Sequence, residues 1–154
     1  MRCVKMIVGL AAVAVVAGLG VLYSGTVYVG ADEPHAALTR WLLHTGMQRS
    51  VREHAEGIKA PPLYDPKMIL AGFRHYREMC VGCHLAPGIA NSEIRQGLVP
   101  KPPSLQLAAE RWTAPQLFWI VKHGVRMTGM PAWGATHSDA KLWAIVAFLK
   151  TLPE

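Results

Sequence analysis

The chain has 154 residues, of which 51% are hydrophobic and 17% charged. That is enough for one domain of ~100–150 residues and too apolar for a disordered chain. The net charge is +6, but no long Lys/Arg run forms a nucleic-acid footprint, and three cysteines do not make a disulfide scaffold.

The apolar excess is concentrated at the start. Residues 6–31 contain no charged side chain, and residues 6–23 have no polar one before Tyr23. A run of this length spans a bilayer core as a helix and exceeds the ~7–15 apolar residues of a secretory signal. Arg2 and Lys5 precede it and belong on the cytoplasmic side. Residues 1–31 are therefore expected to form a retained transmembrane anchor in a bacterial inner membrane, with the rest of the chain in the periplasm. Val29-Gly30-Ala31 is compatible with cleavage, which would also export the domain. Cys3 has no assigned role.

Asp32-Glu33-Pro34 predicts a helix start. Leu38, Trp41, Leu42, Thr45, Val51, Ala55 and Ile58 follow at roughly helical spacing, with Gly46 a point of interruption. Residues 32–59 thus read as an amphipathic juxtamembrane helix. It is either a spacer packed on the domain or a docking surface for lipid headgroups or a partner subunit. Ala60-Pro61-Pro62 opens the last region, residues 60–154.

Asp65 and Pro66 predict a helix running to about Cys80. Pro100, Pro102 and Pro103 mark a loop. Thr113 and Gln116 form a capping box around Pro115, and Gly124 ends the helix they begin. Gly129, Pro131 and Gly134 mark a second loop. Ser138 or Asp139 opens a final apolar helix that stops at Pro153. No segment alternates as a strand, so the domain is expected to be all-α, with long loops that wrap something.

Within it lies Cys80-Val81-Gly82-Cys83-His84, the C-x-x-C-H attachment site of a c-type haem. Two thiols one turn apart bond the two vinyl groups at one edge of the macrocycle, and the adjacent histidine meets the iron. A zinc site would need two further ligands, and a thioredoxin-like site a strand–helix setting; neither is present. One covalent haem c also supplies the apolar centre that a small domain lacks. The second axial ligand is expected to be Met130, in Thr128-Gly129-Met130-Pro131-Ala132-Trp133-Gly134, where glycine permits close approach and proline fixes the chain. Met127, His123 and His137 are the other candidates, His123 fitting better at a helix C-terminus. His35, His44, His54 and His75 read as surface residues.

The region resembles the class I monohaem cytochromes c, particularly bacterial ones and haem domains attached to respiratory complexes. The resemblance rests on Gly72-x3-Tyr76-x3-Cys80-x2-Cys83-His84, Pro87-Gly88, Pro103-x-Leu105, Gly129-Met130-Pro131-x-Trp133-Gly134 and Trp143-x2-Val146-x-Phe148-Leu149. It covers about residues 66–153 and says little about residues 1–59. It implies a class I cytochrome c fold in which the first and last helices cross near Gly72, against Phe148. It also implies that the Pro87 carbonyl accepts a hydrogen bond from His84 Nδ1. Trp133 either contacts a haem propionate or packs the loop.

With His84 and Met130 as metal ligands, the iron has no free position, which suits Fe(II)/Fe(III) electron transfer and leaves no place for a small-molecule substrate. The expected role is a membrane-anchored electron carrier, or the cytochrome subunit of a respiratory or dehydrogenase complex. Its partners would be an oxidase, reductase or dehydrogenase, steered in part by positive charge such as Lys67, Lys101, Lys122 and Arg126. The alternatives are a haem enzyme or gas sensor with a labile sixth ligand, and a structural subunit in which residues 1–59 are the working part and the haem a relay.

Overall fold

The computed structural model describes residues 1–152 and divides into two compact units, one over Met1–Gly30 and one from Ala31 onward. Every described element is helical. The stop expected at Pro153 lies outside the described residues.

The first unit is one helix, α1 (Arg2–Tyr23), with a mean hydropathy of 2.4. By length and composition it can cross a membrane. It buries none of its side chains.

The second unit begins with α2 (Ala37–Ala55). The expected start at Asp32-Glu33-Pro34 is not where the helix begins. Residues 31–36 form turns and irregular chain, and Ala36 precedes α2 without a side-chain cap. Nor does Gly46 interrupt it. Nothing crowds that position, and one mid-helix glycine costs only ~1 kcal/mol. The C-terminal half of α2 packs on α7 (Ala114–His123), and Val51 and Ala55 are buried. Residues 32–59 therefore belong to the same compact unit as the residues that follow.

α3 (Pro66–Met79) starts as its residues dictate: the Asp65 carboxylate accepts from the Lys67 N–H at 2.9 Å, and Pro66 occupies the first turn. Cys80 ends it, and the chain turns directly into the single turn α4 (Val81–His84). α5 (Glu93–Gln96) is capped by Ser92. α6 (Leu105–Arg111) follows the proline loop; it was not anticipated, being short and burying only Ala109. Lys150 Nζ donates to the Ala109 and Trp112 carbonyls at the end of α6, at 2.5 and 2.7 Å. These are carbonyls left without partners when a helix stops.

The Thr113/Gln116 capping box of α7 forms as expected, and Gly124, at φ +66°, terminates the helix. A 3-10 turn at Trp133–Ala135 stiffens the second loop. α8 (Asp139–Leu149) is preceded by Ser138 and is the most enclosed element, with Leu142, Ala144, Ile145, Val146, Ala147 and Leu149 buried.

The principal contact is between α3 and α8. A Cβ on Gly72 would overlap the Ala144 carbonyl and come within 3.0 Å of Phe148 Cβ. The two backbones thus approach more closely than any side chain allows. Phe148 packs its ring against Phe73 and Tyr76 at 5.4 and 5.3 Å. α7 lies against α8 through a parallel stack of Phe118 on Trp143, 4.2 Å between centroids. The core joins Val51 of α2, Tyr76 of α3, Trp112, Leu117, Phe118 and Val121 to the inner face of α8.

Two stability effects follow. Gly72→Ala forces α3 from α8 and is expected to cost ~1–3 kcal/mol or more. Val51→Ala empties a fully buried site and is expected to cost roughly 1–3 kcal/mol. Chemical unfolding of the detergent-solubilised chain, followed by circular dichroism, measures both.

Candidate functional site

Cys80, Cys83 and His84 are brought together by the tight passage from α3 into α4. The His84 and Leu85 N–H groups bond back to the Cys80 and Val81 carbonyls at 2.8 and 2.9 Å. All three side chains line one apolar cleft. Val121, Ile145 and Leu149 form its inner wall, Leu98, Pro100 and Pro102 a flank, and Gly129, Met130, Pro131 and Trp133 the far side.

His84 Nδ1 lies 2.9 Å from the Pro103 carbonyl oxygen. A carbonyl only accepts, so Nδ1 carries the proton and the lone pair is left on Nε2. Burial pulls the His84 pKa below its ordinary value; the bond to Pro103 opposes this and the charge of Arg95 reinforces it. The ring is neutral, as a metal-ligating imidazole must be. The partner is not the Pro87 carbonyl. Leu85 adopts a positive φ of 65° immediately after His84, so the chain turns away, and Ala86 closes a turn with Ile89. Pro87 is exposed and outside the cleft. The proline loop comes across instead and supplies Pro103.

Tyr76 anchors this corner, donating through its hydroxyl to the Leu85 carbonyl. Burial, with the adjacent Cys80, pushes its pKa up to about 12. Burial, with Cys83 beside it, pushes Cys80 up to about 11, which holds it as a thiol. The three cysteines are all unpaired, and Cys3 lies in α1.

The far side depends on Gly124. A Cβ there would sit 2.7 Å from the Met130 carbonyl oxygen and the Pro131 carbonyl carbon, and the Val125 N–H reaches the same Met130 oxygen at 3.3 Å. The Thr128 hydroxyl donates to the Val125 carbonyl at 2.7 Å and accepts from the Met130 N–H at 3.1 Å. A Cβ on Gly129 would run into the Leu98 side chain. The loop is therefore laced to the end of α7.

Of the four residues weighed as second ligand, only Met130 lines the cleft. Met127 is 61% exposed. His123 packs on Trp119 at 4.9 Å in the last turn of α7. His137 lies edge-on to Trp133 and to His75, at 5.4 and 6.1 Å. His75 is half-buried, with Glu78 at 3.9 Å. His35, His44 and His54 are exposed. The residues present fit a c-type haem: two thiols, a neutral imidazole and a thioether share one cleft with apolar walls.

Gly124→Ala places a Cβ against backbone at a positive φ. It is expected to cost roughly 1–3 kcal/mol and to disturb the 125–131 loop before the core, read as greater amide exchange there than in α3 or α8.

No curated protein matches the chain. A family model described as "Cytochrome C oxidase, cbb3-type, subunit III" matches residues 67–149. The match runs from the first turn of α3 to the last residue of α8. It takes in the C-x-x-C-H turn, both loops and the α3–α8 crossing, just over half of the chain. By that match and by the helical arrangement around the cleft, the chain belongs to the cbb3-type cytochrome c oxidase subunit III family, with a class I c-type cytochrome domain.

Proposed function

We propose that the chain is a membrane-anchored monohaem cytochrome that transfers electrons, either as a carrier or as the cytochrome subunit of a respiratory or dehydrogenase complex. One observation carries this reading. Cys80, Cys83 and His84 share an apolar cleft with Met130, 46 residues further along, while Met127, His123 and His137 do not line it. A haem held there supplies one-electron Fe(II)/Fe(III) chemistry.

In this reading Cys80 and Cys83 hold the haem as thioethers and His84 Nε2 is the proximal ligand, oriented by Pro103. Met130 is the second ligand; its neutral thioether favours the reduced form relative to a second histidine and raises the potential. With His84 and Met130 both holding the haem iron there would be no place for a substrate, which favours a carrier over an enzyme. Val121, Ile145 and Leu149 keep water from the cleft, and Trp133 closes its rim. The lacing of the Met130 loop to α7 resists movement of the ligand as charge changes, so little reorganisation accompanies transfer.

α1 is the anchor, with Arg2 and Lys5 on the cytoplasmic side and the haem domain in the periplasm. Confinement to the membrane raises the effective concentration of membrane-bound redox partners. The family's description as an oxidase subunit supports an oxidase as one such partner.

The test is a visible spectrum of the purified chain, oxidised and reduced, with and without carbon monoxide. A low-spin c-type spectrum with a methionine–iron band when oxidised, unchanged by carbon monoxide when reduced, is expected. Met130→Ala should abolish the band and admit carbon monoxide. Replacing both Cys80 and Cys83 by Ala should abolish haem that survives denaturing electrophoresis. A high-spin wild-type spectrum, or ready binding of carbon monoxide by the wild type, would overturn the carrier reading.

A further inference from the structure

One face of α2 is largely exposed, with Trp41 also bordering the groove beside Met127, and carries a definite pattern. Leu38, Trp41 and Leu42 are 68, 61 and 54% exposed. On a 3.6-residue helix, Leu38, Trp41, Leu42, Arg49 and Arg52 fall along one stripe. Val51 and Ala55, which are buried, fall to one side of it. The stripe is apolar toward the start of α2 and cationic toward its end. The chain holds no Asp or Glu between Glu33 and Glu53.

We propose that this stripe is a lipid-binding face: Leu38, Trp41 and Leu42 enter the headgroup–acyl boundary of the bilayer while Arg49 and Arg52 pair with anionic headgroups. The proposal rests on the reading that α1 spans that bilayer. Three observations select lipid over a protein occupant. First, tryptophan and leucine beside arginine on one helical face, with Glu53 near the C-terminal end the one acid of α2, match a helix that lies in an anionic interface. Second, only residues 24–36 separate α1 from α2. At ~3.3–3.6 Å per residue they span at most about 45 Å, so the membrane surface is always within reach at high effective concentration. Three side chains too few to bind a membrane alone suffice when tethered. Third, the C-terminal half of α2 is fixed to the core through Val51, so the stripe is part of the folded domain. Seated this way, α2 would be the lipid-facing layer of the domain, with α7 directly above it.

The full haem-loaded chain, carrying Cys3→Ser, is reconstituted in bilayer discs of phosphatidylethanolamine and phosphatidylglycerol. Nitroxide labels are placed singly at Leu38→Cys or Leu42→Cys, at Val15→Cys within α1, and at Lys141→Cys as a water-exposed reference on α8. Power-saturation spectroscopy compares collisions with oxygen, which partitions into lipid, and with a water-soluble nickel chelate. The ratio of oxygen to nickel accessibility at 38 and 42 is expected to be at least threefold above that at 141. It should fall toward the reference in phosphatidylcholine discs and in Arg49→Glu/Arg52→Glu. A lipid-like label at 15 with water-like labels at 38 and 42 would overturn this proposal alone. A water-like label at 15 would overturn the anchor reading and the proposal with it. Dipolar broadening at 38 without lipid contact would assign the face to a second copy and also overturn it.

Discussion

The close crossing of α3 and α8 at Gly72 is the constraint on which the rest of the domain depends. Without a side chain at that position, the α3 backbone meets the Ala144 carbonyl and Phe148 directly. This fixes the angle at which α3 leaves the core and hence where Cys80 stands when the helix ends. From there the chain turns into α4, and His84 is presented with its lone pair toward the cleft. α8 contributes the other half: Ile145 and Leu149 form the inner wall, and the Phe118–Trp143 stack holds α7, whose end positions Met130. Both sides of the cleft are thus referred to one backbone contact.

Much of this was legible because its determinants are local. Asp65-Pro66 and the Thr113/Gln116 box specify helix starts through bonds made within three residues. Gly124 ends a helix because a left-handed residue is needed there. C-x-x-C-H carries its chemistry in five adjacent positions. Tertiary features were less accessible. α2 starts after Ala36, beyond the residues at 32–34 whose types suggest a helix start. α6 is too short to show a period. The partner that the resemblance implies for His84, Pro87, is sent away by the φ of Leu85, and the acceptor arrives from 19 residues downstream. Pro103 was among the residues quoted for the family resemblance; what its carbonyl does could not be read from spacing.

The residues matched by the family do not coincide with those that make the core. The match begins in the first turn of α3, yet Val51, upstream of it, has no exposed surface and touches the cluster built by α7 and α8. Ile58 and Leu63 pack against the same cluster from the connection to α3. The domain takes part of the segment that precedes the family match as a structural layer of its own core.

α2 is consequently one helix with two different dynamic fates. Its last two turns are anchored in the interior, so their amides open to solvent only when the core itself opens. The first two turns have only the groove beside Met127 and whatever covers their outer face, and they can fray with the rest intact. Hydrogen exchange should therefore be graded along a single unbroken helix, slow near Val51 and fast near Leu38. The steepness of that gradient reports how firmly the outer turns are held, without reference to the haem at all.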